Sequence, residues 1–432
     1  MLYFNRFIWA IATVLFVISG LYFTFKLRFV QFRLKDMVKS FSYNKKEVGL
    51  SPFQSLMMTL GARIGVGNLA GIALAIYYGG VGVVFWIWIS TILCSVNAFC
   101  ESMLGVMYRQ KDKDIYVGGP SYYINQGMNN KLLAKIYATV IIFTYIVGFL
   151  TVQSNTIVNS ITEVCKCNPI IISLIIATFS FIIIFKGLRS IANFSSKLVP
   201  FMTLGYILIC MCIVVLNLNK MPQVLLSIIT QAFNPTSASI GLILPIIIGF
   251  QRGIFSNEAG IGTGAIASST ANTDSPSKQG FIQMFGVYID TLILCSLTAF
   301  IILLSDYKEV VRHNINGIEI TQTAFVYHLG HIGNYVVIIS ILLFAFSTII
   351  TGYYYGEANL KFLYNKLSNK GLTIFKVIVI CLLLIGGISS PTTIWLLADI
   401  LIVILGIINV YSLLCLRKNI IVEHKRYVRK KK

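Results

Sequence analysis

Long apolar runs separated by short polar connections follow one another along the whole chain. Eleven of these runs approach the length of about 20 residues that a helix needs to cross a bilayer. They are 7–25, 53–78, 81–107, 136–162, 169–185, 198–217, 240–270, 281–304, 334–356, 372–389 and 393–416. The pattern predicts an all-α polytopic membrane protein with about eleven transmembrane helices in a lipid bilayer.

The run 53–78 is interrupted near its centre by the polar Asn68 and by four glycines, which are Gly61, Gly65, Gly67 and Gly71. Glycine gives the backbone access to conformations that other residues resist. Unwound backbone is tolerated in a bilayer only where it is buried in protein or lines a wet cavity. We therefore expect a discontinuous helix whose second half points free N–H groups at the break, an arrangement that favours a carboxylate.

The run 240–270 is interrupted in the same way. Its helix-breaking residues are Pro245, Gly249, Gly253, Gly260, Gly262 and Gly264. The polar residues beside them are Gln251, Arg252, Ser256, Asn257 and Glu258. Two interrupted hydrophobic segments at corresponding places in two halves of a chain indicate the binding site of a secondary transporter.

Lysine and arginine are concentrated in alternate connections. Connections 26–50, 108–135, 186–197, 271–280 and 357–376, with the tail 417–432, contain 28 of the 35 basic residues. The positive-inside rule places these connections in the cytoplasm. We therefore expect a plasma-membrane protein with an external N-terminus and a cytoplasmic C-terminus. The net charge of +20 is explained in this way without nucleic acid as a partner.

The first run is an extra helix, and the other ten form two sets of five, each led by an interrupted helix. Because five is odd, the two sets must have opposite topology, as in an inverted repeat of the leucine-transporter type. The predicted organisation is 1–50 as the N-terminal helix and basic connection, 51–217 as the first repeat, 218–239 as an extracellular connection, 240–416 as the second repeat and 417–432 as a basic tail. The connection 218–239 and the polar stretch 305–333 are expected to cover the outer mouth.

Composition excludes several other classes of protein. The chain is 56% hydrophobic and 12% charged, with a mean hydropathy of +0.81, which excludes a soluble globular protein. No histidine lies within a predicted span, and no metal, phosphate-loop or nucleophile motif is present, so we expect neither an enzyme nor a bound cofactor. A passive channel is an alternative to a transporter, because a wet path lined by broken helices also conducts.

Several separated motifs resemble those of the alanine or glycine:cation symporters, also called sodium:alanine symporters. They are SPFQSL at 51–56, GARIGVGNLAGIALAI at 61–76, GGVGVVFWIW at 79–88, GGPSYYI at 118–124, RGIFSNEAGIG at 252–262, GVYIDT at 286–291, FAFSTIITGYYYGE at 344–357 and WLLAD at 395–399. The resemblance implies sodium-driven uptake of a small neutral amino acid, alanine or glycine, in a leucine-transporter-like fold with one added N-terminal helix. Glutamine and serine are alternative substrates. The family commonly has Thr or Ser where this chain has Val66, which affects the expected substrate more than the fold.

For the substrate, we expect the backbone amides of Gly65, Val66 and Gly67 to hold a carboxylate. The alternative is that these glycines only allow close packing of helices. Asn68 offers a carbonyl oxygen to sodium or substrate, or else makes an ordinary interhelical hydrogen bond.

Side chains from other runs would complete the substrate pocket. Gln153, which lies near Asn155 in the run 136–162, resembles a substrate contact of the family. Phe255 and Ser256 at the second break, with Trp395, would form a small wall that accepts a methyl group or hydrogen. The alternatives are a structural hydrogen bond for Gln153 and core packing for Trp395.

For sodium, the carbonyls of Gly61 and Ile64 with the hydroxyls of Ser347 and Thr348 resemble the site shared by proteins of this fold. Carbonyls of unwound helix are common ligands of coupling ions. Hydroxyls in membrane helices also bond back to their own helix, which is the alternative. Sodium is the expected coupling ion, and a proton is the alternative ion.

Asp290 lies ten residues into the run 281–304, and an intramembrane carboxylate is a functional hypothesis by default. We expect it to ligate a cation near Asn68 or to bind a proton. A structural ion pair with Arg63 or Arg252 is the alternative. The other acidic residues in or beside the spans are expected to pair with these two arginines and to act as gates; they are Glu101, Glu258 and Asp399.

Overall fold

The computed structural model describes residues 2–42, 49–112, 115–185, 187–233, 243–306, 317–364 and 367–431. Its helices are α1 Leu2–Lys26, α2 Leu34–Lys39, α3 Pro52–Arg63, α4 Ile72–Gly79, α5 Val83–Met107, α6 Pro120–Gly127, α7 Lys131–Phe143, α8 Leu150–Cys165, α9 Pro169–Ile184, α10 Leu188–Leu216, α11 Met221–Phe233, α12 Ile243–Asn257, α13 Thr263–Ser269, α14 Pro276–Val287, α15 Ser296–Leu304, α16 Gly317–Leu329, α17 Ile332–Leu363, α18 Asn369–Ile388, α19 Pro391–Cys415 and α20 Arg417–Lys431. Three π-helical turns lie at Gly67–Gly71, Thr144–Phe149 and Tyr288–Cys295. Two short 3₁₀ helices lie at Val30–Phe32 and Leu218–Lys220. Strands Gln110–Asp112 and Ile115–Val117 form an antiparallel pair.

The helical fold class agrees with the prediction. Within the described residues, eight helices are long and apolar enough to cross a membrane, and the bent pair Pro52–Arg63 and Gly67–Gly79 makes a ninth span. The other two predicted runs are helical as well: 169–185 contains the 16-residue α9, and 240–270 contains α12 and α13. Residues 240–242 of the second of these runs lie outside the described part of the chain.

Two predicted lids are only partly described. In the connection 218–239, the described residues form a 3₁₀ turn and the helix α11, and residues 234–239 lie outside the described part. In the stretch 305–333, residues 317–329 form α16, and residues 307–316 lie outside the described part of the chain.

The two broken helices run in opposite directions. The first broken helix consists of α3, the turn Gly67–Gly71 and α4, and the second consists of α12 and α13. The first break is residues 64–66, and the second break is residues 258–262. Just before the first begins, Leu50 donates its N–H to the Thr270 carbonyl (2.9 Å) and accepts the Asn272 N–H (2.6 Å), just after the second ends. The start of one helix therefore lies beside the end of the other, as an inverted repeat requires.

The two broken helices lie at the centre of the bundle. Helix α5 packs against α12, α13 and α14, and α17 packs against α3, α8 and α10. Small residues permit the closest approaches. At Gly105 of α5, for example, an added Cβ would lie 2.4 Å from the carbonyl oxygen of Ala265 in α13. The breaks are therefore buried between helices, where unwound backbone is tolerated.

The N-terminal helix is part of this bundle. Helix α1 packs against α5, α12 and α19, and Ser19 donates a hydrogen bond to the Asn97 side chain of α5 (2.8 Å). An added Cβ at Gly20 would lie 2.8 Å from the Leu93 carbonyl oxygen. The extra helix is therefore held by specific contacts rather than by lipid alone.

Candidate functional site

The helix before the first break, α3, has a well-defined N-terminus and ends at a residue with extended backbone. Ser51 and Gln54 form a capping box, and Pro52 occupies the first turn of α3, a combination that fixes where a helix begins. Ile64 then adopts an extended conformation (φ −73°, ψ 92°), and the chain bends by 54° into the next half. The carbonyl of Ile64 is consequently turned out of the helix and is available to a side chain or an ion.

Two amides at this break are bonded by side chains. The Gly65 N–H donates to Oδ1 of Asn68 (2.9 Å), and the Val66 N–H donates to Oε1 of Gln153 (3.0 Å). The expectation of free N–H groups was therefore wrong for these two amides in this conformation, because neutral side-chain amides reach them.

The neighbouring Asn155 is not part of this site. Its Nδ2 donates to the carbonyls of Gly386 (3.0 Å) and Ser389 (2.8 Å), which are freed where α18 ends. Asn155 therefore makes structural bonds to freed backbone carbonyls.

Asp290 lies against the first break and is fully buried. Its Oδ1 accepts a hydrogen bond from Nδ2 of Asn68 (2.8 Å), and its Oδ2 accepts bonds from the hydroxyls of Ser256 and Thr291 (2.8 Å each). Across the described part of the chain, no lysine or arginine nitrogen lies within ion-pair distance of this carboxylate. The alternative of an arginine partner is therefore wrong.

A second group of oxygens lies on the other side of the first break. Ser347 donates its hydroxyl to the Gly61 carbonyl (3.0 Å), and Thr348 donates to the Ile64 carbonyl (3.3 Å). All four residues are buried. Thr348 also donates to the Phe344 carbonyl of its own helix (3.1 Å), so the helix-bonding alternative is present beside the predicted contacts.

An aromatic stack adjoins the first break. Phe255 stacks on Trp395, with ring centroids 4.8 Å apart, and on Phe149 at 5.1 Å. Phe149 in turn stacks on Tyr145 at 4.9 Å. An added Cβ at Gly67 would lie 3.3 Å from the Phe255 ring, so glycine lets the break approach the stack closely.

Sequence reasoning found Phe255 and Trp395 but missed Phe149 and Tyr145. A signal was available for Phe149, because it precedes Gln153 by four residues and such pairs share one face of a helix.

The second break is built from left-handed backbone. Glu258, Gly260 and Gly262 have positive φ angles of 55°, 88° and 97°. Its backbone is bonded by three other helices: Gly262 N–H donates to Oε2 of Glu101 (3.0 Å), and Tyr137 and Asn409 donate to the carbonyls of Ile261 (2.7 Å) and Gly260 (2.9 Å). These bonds satisfy the groups that the interrupted helix leaves open.

The expected pairing of acidic residues with arginines is correct for one pair. Asp399 binds Arg252 through Oδ2 and Nη2 at 2.7 Å. Glu258 instead accepts bonds from the hydroxyls of Tyr145 (2.6 Å) and Thr263 (2.7 Å). Glu101 forms no ion pair within the described residues and bonds the second break.

Arg63 likewise has no carboxylate partner within the described residues, and its Nη1 donates to the Gln283 carbonyl (3.0 Å). The predicted ion pairs of Arg63 were wrong. Glu101 Oε2 instead accepts bonds from Gly262 N–H and Asn409 Nδ2, and Glu258 accepts bonds from Tyr145 and Thr263.

Comparison with known proteins places the whole chain in one group. The sequence model of the sodium:alanine symporter family matches residues 1–432. The chain is 36% identical to the probable sodium/glutamine symporter GlnT of Bacillus subtilis over 99% of this chain and 90% of that protein. It is 30% identical to the sodium/alanine symporter AgcS of Methanococcus maripaludis over 98% of this chain and 95% of that protein.

A solved structure shows the same fold. The chain resembles a Na⁺-coupled sialic acid symporter in its substrate-bound outward-open state, with a TM-score of 0.53. The match covers 95% of this chain and 82% of the other, at 12% sequence identity.

Proposed function

Because the chain belongs to the sodium:alanine symporter family, we propose that it imports a small neutral amino acid, alanine or glycine, by symport with sodium. The chain is a multi-pass membrane transporter with the fold of a sodium-coupled symporter, and it is not an enzyme. Alternating access of the site between the two sides of the membrane would carry amino acid and ion together.

The observation that carries this proposal is the bonding of Asp290. Its carboxylate is fully buried and is surrounded by neutral donors from Asn68, Ser256 and Thr291. A buried charge without a counter-charge is costly. Sodium beside Asp290 would remove that cost. The Ser256 hydroxyl oxygen is proposed as a further ligand, and so is the Asn68 oxygen once the amide turns from the Gly65 N–H toward the ion.

The carbonyls of Gly61 and Ile64 with Ser347 and Thr348 are proposed as another sodium site. The Ser347 hydroxyl lies within hydrogen-bond distance of the Gly61 carbonyl, and the Thr348 hydroxyl lies within the same distance of the Ile64 carbonyl. Rotation of the two hydroxyls would turn their lone pairs, rather than their hydrogens, toward an ion. Neutral oxygens of this kind suit an ion with one positive charge.

The substrate carboxylate is proposed to replace the side chain of Gln153 at the Val66 N–H. Both groups present an sp² oxygen to the same donor, so the exchange needs little movement of the break. The released amide of Gln153 could then bond the substrate. A small wall beside Gly67 is formed by Ser256, Phe255 and Trp395. This wall favours a substrate with a small side chain, such as alanine or glycine.

Glutamine is the second candidate substrate. It is favoured by the likeness to a probable sodium/glutamine symporter over 99% of this chain. Val66 stands where the family commonly has Thr or Ser, so a hydroxyl near the substrate carboxylate is missing. The aromatic wall would then decide which substrate side chain fits.

The orientation is proposed from the basic connections. Connections 26–50 and 271–280 meet at the Leu50–Ala271 bridge, and both belong to the set that the positive-inside rule assigns to the cytoplasm. The proposed protein therefore has its N-terminus outside and its C-terminus inside a plasma membrane.

Uptake by proteoliposomes tests the proposal. Alanine or glycine should accumulate against a gradient only when external sodium exceeds internal sodium. Replacing sodium by choline should stop accumulation, and faster uptake of glutamine would select the second substrate. Amino-acid flux that does not change with the cation would show a passive channel instead.

A further inference from the structure

The connection after the N-terminal helix turns sharply where the first membrane span ends. The apolar span of α1 ends at Lys26. Arg28 and Phe29 then adopt left-handed backbone, with φ angles of 57° and 54°, and a 3₁₀ turn and α2 follow. We name residues 25–39 the elbow. Because the elbow begins where a span ends, we place it at the level of the lipid headgroups.

Large apolar side chains of the elbow are exposed. They are 48–67% exposed, and they are Phe25, Phe29, Phe32, Leu34 and Val38. The ring of Phe29 lies 5.5 Å from that of Phe25 and 6.5 Å from that of Phe32, measured between centroids. A contiguous exposed apolar patch marks a surface that contacts a partner or a membrane.

Basic side chains are interspersed with this apolar patch. Four of them are exposed, and they are Lys26, Arg28, Lys35 and Lys39. The acidic residue of the elbow, Asp36, is buried and pairs with Arg33 at 2.8 Å. It therefore does not neutralise the four exposed cations, and the surface of the elbow attracts anions.

The helix α2 separates the two kinds of side chain. Leu34 and Val38 are four residues apart, and so are Lys35 and Lys39, so each pair forms a row along one side of the helix. The remaining side of α2 is buried and packs against α14. At a membrane surface, an apolar row reaches the acyl chains while a basic row reaches the phosphates.

The elbow is a fixed part of the bundle. Gln31 is buried, and its Nε2 donates a hydrogen bond to the hydroxyl of Thr24 (2.9 Å). Its carbonyl accepts the hydroxyl of Tyr288 (2.8 Å), a residue of the same π-helical turn as Asp290. The exposed side chains are therefore presented on an ordered backbone, which lowers the entropy lost on binding.

We propose that the elbow binds anionic phospholipid headgroups of the surrounding bilayer. The lipid phosphate accepts hydrogen bonds from Lys35 and Lys39, and the apolar patch lies beside the acyl chains. Charge complementarity and continuity with the span of α1 select this partner, because a soluble anion would leave the apolar row uncovered. The proposal does not depend on which amino acid the chain transports.

Photocrosslinking tests this surface in the full-length chain in phosphatidylcholine nanodiscs. A trace of photoreactive phosphatidylglycerol or of equally photoreactive phosphatidylcholine is included, and mass spectrometry measures the crosslinks to the elbow. Phosphatidylglycerol should give the higher yield. Each basic residue near a membrane surface contributes about fivefold to the preference for anionic lipid, so Lys35→Gln with Lys39→Gln should lower the ratio of yields by up to about 25-fold.

Lys425→Gln with Arg426→Gln is the matched control. Both residues are exposed and basic, and they lie on α20 rather than in the elbow. This variant loses the same charge and should keep the ratio of the two yields at the elbow. Salt gives a second measurement that needs no variant, because it screens exposed charges. The ratio for the wild type should fall toward one as sodium chloride is raised.

Equal yields of the two lipids with the wild type would overturn the proposal. An unchanged ratio in Lys35→Gln with Lys39→Gln, or at high salt, would also overturn it. Loss of the crosslinks on adding inorganic phosphate would show a general anion site instead of a lipid surface. Sodium-driven uptake is measured separately, so these results leave the proposed transport untouched.

Discussion

The second break is held by side chains of three other helices, whereas neutral amides bond two N–H groups of the first. Residues 260–262 receive bonds from α5, α7 and α19. At the first break, Gly65 and Val66 donate to Asn68 and Gln153. The two interruptions look alike in sequence, but their backbones are stabilised by different chemistry.

This difference supports the proposal that the second break is a fixed frame and the first break is the ligand site. Hydrogen bonds from three other helices, each worth about 0.5–1.5 kcal/mol even between neutral groups, secure residues 260–262. One such bond, from Gln153, secures the Val66 N–H. A substrate carboxylate would improve the bond at Val66, whereas no ligand is needed at the second break.

The largest expected effect is the loss of folding on changing the second break. In Gly262→Ala, the new Cβ would lie 2.4 Å from both Pro120 Cγ and Tyr137 Oη, at a φ of 97°. Left-handed backbone costs about 1–2 kcal/mol and overpacking about 1–3 kcal/mol. Thermal unfolding of the purified variant should therefore occur at a much lower temperature.

Gly71→Ala in the first broken helix is the control for this change. Its Cβ would meet no atom closer than 3.8 Å, so its unfolding temperature should stay near that of the wild type. Equal stability of the two variants would contradict the idea that the second break is a fixed frame.

Asp290→Asn is expected to abolish most of the response to sodium while leaving the fold intact. Removing one charged ligand, worth about 1.5–3 kcal/mol, corresponds to roughly 10- to 150-fold weaker sodium binding. Sodium-dependent stabilisation of the purified protein measures this loss.

Asp399→Asn supplies the opposite pattern. It leaves Arg252 buried without its partner, a change that costs about 3–5 kcal/mol for a buried pair. The unfolding temperature should drop, and the response to sodium should persist. A normal sodium response in Asp290→Asn would remove this carboxylate from the ion site.

Gln153→Glu tests whether the substrate carboxylate binds at the first break. The new carboxylate would repel a substrate carboxylate from the Val66 N–H, so alanine affinity should fall at least about tenfold, or about 1.4 kcal/mol. Sodium-dependent stabilisation should remain. Binding of labelled alanine in saturating sodium measures the change.

Asn155→Asp, two residues further along α8, is the matched control for Gln153→Glu. It loses the donors to Gly386 and Ser389, so it should lower stability without a selective loss of alanine affinity. Similar affinities for alanine in both variants would argue against a direct role for Gln153.

The smallest expected effect is that of Thr348→Ala. Losing one neutral oxygen, worth about 0.5–1.5 kcal/mol, should weaken the apparent sodium affinity of uptake by about 2- to 12-fold. Thr348→Ser keeps the hydroxyl and should behave as the wild type. If the serine variant lost as much affinity as the alanine variant, packing rather than ligation would explain the residue.

Much of the fold and part of the site could be predicted from the pattern of residues along the chain. The eleven helical runs, the two breaks and the closeness of Asn68 to Asp290 agree with the sequence predictions. The ion pair of Arg252 with Asp399 was also among them. The partners of Glu101 and Glu258 could not be predicted, because they depend on which groups of the second break face α5 and the π-helical turn Thr144–Phe149.

By itself, the sequence determined which apolar runs form helices and where two of them break, since hydrophobic length and glycine position act locally. Only the tertiary structure decided how the breaks are bonded, because Gln153 reaches Val66 and Asn409 reaches Gly260 from helices remote in the chain. A buried polar group bonds whatever donor or acceptor the packing of helices brings within about 3 Å. The bonding that distinguishes the two breaks, and on which the proposed ligand site depends, is therefore a property of the folded bundle.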